Sequence, residues 1–431
     1  MEQKKKYNFA DGEFRVFIMK KYSFQKVNNI FSIYKGFPRA IYILFFCRLI
    51  NSMGYFVFPF LTLFLTINLS LGADKVGFYL MFVEISRIIG ALFGGKFTDI
   101  FGRKRTLIGF QFAIAFFLLP CAFLGNSLLI PNLLTIAAFF NGATRPVYDA
   151  MTVDLSNSQN RNEIFSFIYL GINLGFGIGS LIAGFLYSHY IKLLFLGNVG
   201  VILIVCFFIY VFISETLPYD ARLENKKNRK NNLVEKKSLL SILIKKPIVL
   251  YFSLVSVLFY LAHSQFFFSL PLQINDIFGQ VGPQYFGMVM SFNCLVVVSI
   301  TVPLTVVSRQ NKPIFNVYLS GIFFAIGFGM LYWINQFSWI LISTFIWTIG
   351  EILIRINAGV YIANHSPVTH RGRFNSLVTI SGSISRIIGP PILGLIIINL
   401  GIRQVWVLIF FISIAATGLM YLLYLTEKGS K

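Results

Sequence analysis

Apolar stretches alternate with short polar punctuation along almost the whole chain. Many are about twenty residues long, the length a helix needs to cross a bilayer. Twelve such runs fall at 39–66, 76–97, 105–125, 131–153, 164–187, 192–213, 248–272, 284–307, 313–335, 338–362, 374–399 and 403–425. The breaks carry loop-type residues at Asn68 to Asp74, Gly125-Asn126, Gly279 to Pro283 and Asn311 to Pro313. The pattern predicts an all-α membrane protein with twelve transmembrane helices.

One long polar stretch, 214–247, is rich in Asn and Lys and separates the sixth run from the seventh. It reads as a cytoplasmic linker between two six-helix bundles, 39–213 and 248–425. A basic segment, 1–38, precedes them and a short tail, 426–431, follows. The halves look related. A single offset of 210 residues carries Arg145 onto Arg355, Arg161 onto Arg371, Gly179 onto Gly389 and Gly184 onto Gly394. Shared landmarks predict two pseudo-symmetric bundles around a central path.

Composition agrees. The 431 residues are 56% hydrophobic and 12% charged, with a mean hydropathy of +0.73. A water-soluble chain of this length needs a more polar exterior, so lipid must be the solvent for much of it. The 49 Phe residues fit a wide lipid-facing perimeter. A net charge of +21 would suggest nucleic acid in a soluble protein. Here 29 of the 37 Lys and Arg fall on the side of the membrane that holds both termini, against three (Lys75, Lys192 and Arg403) on the other. That bias assigns the charge to topology and puts both termini in the cytoplasm of a multi-pass cell-membrane protein, with lipid rather than nucleic acid as partner. Cys47, Cys121, Cys206 and Cys294 all lie in apolar runs without metal-ligand or disulfide spacing, and read as small hydrophobes. The N-terminal segment lacks the pattern of a cleaved signal peptide. Its stretch 14–24 mixes aromatics and bases, which suits either an inner-leaflet helix or a disordered tail.

Ionisable groups inside the runs are the sharpest chemical signal, because charge in a bilayer is costly unless paired or wetted. Glu84 and Arg87 stand three apart; Arg145 with Asp149, and Glu351 with Arg355, stand four apart. Each spacing puts both groups on one helical face. Arg48 and Arg386 are further intramembrane cations. These pairs read either as structural ties or as a polar interior that binds substrate and protons. A proton carrier needs a carboxylate whose surroundings change, which selects Glu351 first, then Asp149, then Glu84. Asp154, near a helix end, is expected to meet Arg161. His263, Gln265, Asn51, Asn293 and Tyr55 are candidate lining residues, with Phe58, Phe266 and Phe267 as aromatic walls. No Walker loop and no H-E-x-x-H motif is present. The chain is read as no enzyme and as needing no cofactor or metal.

Gly95 to Arg105 read GKFTDIFGRKR directly behind the second run. The string resembles the loop between helices 2 and 3 of major facilitator superfamily transporters, G-x-x-x-D-R-x-G-R-R/K. Gly95 and Gly102 match its glycines, Asp99 its acid, and Arg103, Lys104 and Arg105 its basic cluster, with Ile100 where Arg is usual. Gly171, Gly175, Gly179 and Gly184 share small-residue spacing. The segment Gly175 to Gly184 resembles the helix-5 pattern of drug:proton antiporters in that superfamily, with Ser180 for its proline. Ser385 to Gly394, with Gly389 and Pro390, keeps the proline. Gly350 to Gly359 and Tyr260 to Gly287 also resemble those exporters. The E-x-x-E-R motif of proton-coupled peptide transporters is absent. The resemblance implies the major facilitator fold and a monomeric secondary transporter. It would export lipophilic or amphipathic small molecules against protons by alternating access. Two alternatives stand beside it: transport of an anionic metabolite or lysolipid, and a non-transporting receptor or lipid-handling protein on the same fold.

Overall fold

The computed structural model describes residues 34–157, 159–217, 247–366 and 371–429. Most of the expected N-terminal segment (1–33) and linker (218–246) lies outside the described residues. Twelve helical passes are found among those described: α1 Arg39–Met53, α2 Ala73–Phe101, α3 Arg103–Leu118, α4 Leu129–Asp154, α5 Arg161–His189, α6 Ile191–Phe212, α7 Pro247–Ser264, α8 Gly282–Ser308, α9 Pro313–Gly329, α10 Phe337–Asn364, α11 Arg371–Leu400 and α12 Ile402–Gly429.

Two passes are broken, for one reason. After Met53 the chain leaves the helix, then resumes as Leu61–Leu63 and a π-turn Phe64–Asn68. After Ser264 it leaves again and resumes as Ser269–Phe278. Pro59 and Pro271 lie at these breaks; a proline cannot donate to, and clashes with, the carbonyl four residues back. The carbonyl freed in the second break, on Phe267, accepts 2.8 Å from Thr62 Oγ1 in the first. Nine helical stretches among the described residues are long and apolar enough to cross a membrane, and one of them, Pro247–Ser308, spans two passes. The interrupted first pass falls outside that set. So does α4, which carries Asn132, Asn141, Arg145 and Asp149.

Packing repeats between the halves. α1 packs on α5 and α6, as α7 does on α11 and α12. α2 packs on α4 as α8 does on α10, and α3 packs on α6 and α4 as α9 does on α12 and α10. The halves meet along two seams, α2 with α11 and α5 with α8. Both seams need glycine. A Cβ on Gly77 would stand 2.3 Å from the Pro390 carbonyl oxygen, and one on Gly394 would stand 2.4 Å from that of Ala73. Gly184 lies against Pro283 and Gly287 in the same way. These contacts sit at the end that holds the loops 69–72 and 279–281. Ser188 Oγ, which donates to the Gln280 carbonyl at 3.5 Å, joins the halves there too. Toward the opposite end Asp99, Arg145 and Asp149 are exposed, and a Cβ on Gly95 would meet nothing within 4 Å. The bundle is closed at the first end and open at the second.

Candidate functional site

α10 sets Glu351 and Arg355 one turn apart, and Arg355 Nη2 donates to Glu351 Oε1 at 2.7 Å. From α8, Asn293 Nδ2 donates to Glu351 Oε2 at 3.0 Å and to Thr348 Oγ1 at 2.9 Å, which uses both amide protons. From α7, His263 Nε2 stands 3.5 Å from the same oxygen. That nitrogen has no hydrogen-bond partner among the described residues. The ring lies among Phe266, Phe324 and Trp347. Glu351 is buried, whereas the Arg355 side chain is 52% exposed and lies 5.7 Å over the ring of Tyr169, on α5 of the other half.

A second cluster joins α2 to α11. Glu84 accepts from Arg87 Nη1 at 3.2 Å and from Arg386 Nε at 2.8 Å. Arg87 Nη2 donates to the Tyr55 hydroxyl at 3.2 Å, and its guanidinium lies 5.5 Å from the Phe58 ring centre. Arg386 Nη2 donates to Ser383 Oγ at 3.1 Å. One carboxylate thus serves two guanidiniums, and it ties the halves together at mid-depth.

The third expected pair does not close. Arg145 and Asp149 form no ion pair within 4 Å; both are exposed, so water solvates each. The charged neighbours of Asp149 are Arg145 and Arg48. Arg48 lies over the Tyr148 ring at 4.4 Å, and its buried Nε has no partner among the described residues. Gln111 Nε2 reaches both Tyr148 and Asn51. Gln265 is a further correction. It is fully buried and bridges the α7 break: it donates to the Leu261 carbonyl and Ser264 and accepts from Ser269, so it lines no cavity.

At the open end, Gly102 turns α2 into α3 at φ +92°, a conformation that favours glycine. The turn aims Arg103 at Asp154, 2.9 Å from Nε, with Asp99 at 3.4 Å from Nη1. Asp154 therefore meets Arg103 and Thr216, while Arg161 donates instead to Ser156. Glu215 accepts from the backbone N–H of Arg103 at 2.8 Å and of Lys104 at 3.3 Å, capping α3. Lys104 Nζ donates to the Tyr210 carbonyl, and Arg105 is exposed. Gly171, Gly175 and Gly179 lie against Phe45, Leu49 and Met53 of α1, and Gly389 lies beside Gln265 and Ser264.

The model of the Major Facilitator Superfamily matches residues 44–358 and 319–431. The chain belongs to this superfamily. It is therefore a multi-pass membrane transporter of small molecules, not an enzyme. An uncharacterised MFS-type transporter of Bacillus subtilis (strain 168), YttB, is 27% identical over 388 residues, 88% of this chain and 94% of that protein. A Na(+), Li(+), K(+)/H(+) antiporter of Planococcus maritimus is 23% identical, over 79% of this chain and 85% of that one. Among solved structures, a peptide transporter POT in complex with sulfate superposes with a TM-score of 0.69 at 16% identity, over 91% of this chain and 94% of the other. An auto-inhibited POT family peptide transporter gives 0.71 at 14% identity, over 91% and 97%. At such identities the structures show the fold alone.

Within this superfamily member, sequence reasoning missed three partners. His263 meets Glu351 from another helix, Glu84 meets Arg386 across 302 residues, and Glu215 caps α3 from 112 residues away. Only Glu215 left a trace, as an acid just past the sixth apolar run. A groove of about 400 Å³ on the flank, between α2 and α4, is lined by Tyr79, Phe82, Ser86, Asn132 and Thr135 among others, and by none of the ionic residues.

Proposed function

We propose that this transporter is a proton-coupled antiporter that works by alternating access and exports amphipathic small molecules. Bundles 39–213 and 248–425 rock about the central ionic groups, and both termini face the cytoplasm of the cell membrane. The charge bias then makes the open end cytoplasmic. One observation carries the reading: Glu351 is a buried carboxylate held by groups from α7, α8 and α10, and its Arg355 partner reaches the other half at Tyr169. Protonating Glu351 removes the charge that holds Arg355 and so loosens a contact between the halves. His263, whose Nε2 stands 3.5 Å from a Glu351 oxygen, is placed to pass the proton. Asp149 and Glu84 are the second and third choices for the coupling acid. The antiporter relative from Planococcus maritimus supports proton exchange as the class of coupling.

The test is proton movement in pyranine-loaded proteoliposomes on addition of organic anions, organic cations or alkali-metal ions. At least one member of the panel should drive a proton flux, and Glu351→Gln should abolish it. A flux that survives in Glu351→Gln removes that residue from coupling, and no flux with any member removes the antiport reading.

A further inference from the structure

We propose that the central site takes an organic anion, a carboxylate or sulfonate on an aromatic or amphipathic body, and that Arg355 and Arg386 are the groups that grip it. The inference rests on the transport reading above and names its substrate class. Away from the helix ends, five Arg side chains (Arg48, Arg87, Arg145, Arg355 and Arg386) stand inside the passes against three acids, Glu84, Asp149 and Glu351. Two of these acids are already engaged: Glu84 is shared by two guanidiniums, and Glu351 is held by Arg355 and Asn293; Asp149 is exposed, with Arg145 and Arg48 as its charged neighbours. The surplus is positive, and it is accessible. The Arg355 and Arg386 side chains are 52% and 43% exposed, far more than the carboxylates they touch. Both guanidiniums lie within electrostatic range of one ring, Tyr260 on α7. Arg386 Nη1 and the Tyr260 ring also converge on Gly382, where a Cβ would stand 3.3 Å from one and 4.0 Å from the other.

The chemistry follows from those positions. A planar guanidinium offers paired N–H donors that match the two oxygens of a carboxylate or sulfonate. Each of these two already spends part of its donor set on a glutamate and keeps the rest toward accessible space. Tyr169, Tyr260 and Tyr55 surround them with aromatic faces, and the Tyr55 ring stacks on Phe58 at 5.1 Å. Such walls suit an apolar body attached to the anion. Tyr169 and Tyr55 belong to the first half, Arg355 and Arg386 to the second. An anion held by the guanidiniums and covered by those rings therefore touches both halves. It also competes with Glu84 for Arg386, and so acts on an ion pair that ties α2 to α11.

Isothermal titration calorimetry on the purified full-length protein tests this directly, with benzoate, 2-naphthoate and benzenesulfonate against the neutral benzamide and the cation tetraphenylphosphonium. At least one anion should bind at least tenfold more tightly than benzamide. Arg355→Gln and Arg386→Gln should each weaken it about 10- to 100-fold, the range for losing a charge-assisted contact, and Arg386→Lys should restore part of the loss. The double variants Arg355→Gln/Glu351→Gln and Arg386→Gln/Glu84→Gln keep local charge balance and fold; they should still fail to bind the anion. Equal binding of benzamide, no binding of any anion, or anion binding untouched in both arginine variants overturns the proposal. The two readings separate cleanly. Arginine-dependent anion binding without proton flux keeps the site and removes antiport. Proton flux driven by cations alone keeps antiport and removes the anion site.

Discussion

Alanine at Gly77 should push the transporter out of the conformation described above. The Cβ would stand 2.3 Å from the Pro390 carbonyl oxygen, 2.6 Å from its carbon and 2.9 Å from the Pro391 Cα. Ordinary contact begins near 3.4 Å, so the overlap is about an ångström, and all three atoms are backbone that no rotamer change can move. Overpacking of this kind costs about 1–3 kcal/mol. The cost falls only on the state in which the α2–α11 seam is shut, so it becomes a bias of about 5- to 150-fold toward the alternative state. Spin labels on exposed Asn162 and Asn311, one on each half at the open end, report the change. The four native cysteines are buried and compete little for label. The distance distribution should shift to shorter values in Gly77→Ala and stay put in Gly109→Ala, where the new Cβ meets nothing within 4 Å. An unchanged distribution in a folded Gly77→Ala protein would mean that the seam does not open in the transport cycle.

Two further outcomes follow from the polar contacts. Glu215→Ala strips the cap from α3 and leaves two exposed backbone N–H groups to water; it should cost about 0.5–2 kcal/mol, seen as a lower melting temperature, while Glu215→Asp recovers part. Glu84→Gln leaves Arg87 and Arg386 without their shared charge. Breaking a fully buried pair costs about 3–5 kcal/mol, but Arg386 is 43% exposed and water offsets part of that. A loss of about 1–3 kcal/mol is expected by thermal denaturation, with the Asn162–Asn311 distances moving as in Gly77→Ala.

The fold class was legible because a bilayer imposes one length on every spanning segment. Hydropathy marks the runs, Asn, Gly and Pro mark their ends, and the string from Gly95 to Arg105 points to the superfamily. The breaks after Met53 and Ser264 were hidden, since Tyr55 to Phe60 and Phe266 to Phe268 are as apolar as the helices around them. Pairs within one helix were visible as spacings: Glu84 with Arg87 and Glu351 with Arg355 do lie within ion-pair distance. The spacing of Arg145 and Asp149 looks the same in sequence, yet both face water and do not close. Spacing gives the reach of two side chains, and solvation decides whether they use it. Partners from different helices, such as His263 with Glu351 or Arg386 with Glu84, depend on how the bundles pack. No local pattern encodes that.

Gly102 gives the joint between α2 and α3 a mechanical meaning. A single residue links the two rods, so the tip of one moves with the tip of the other even where the angle between them changes. The longer rod has 29 residues, about 44 Å at roughly 1.5 Å each. Its far tip carries Ala73 and Gly77, wedged against the opposing bundle, and its near tip is lashed through Arg103 to Asp154 and Glu215. Force applied at one face of the membrane therefore arrives at the other as leverage on the segment just past α6 that carries Glu215.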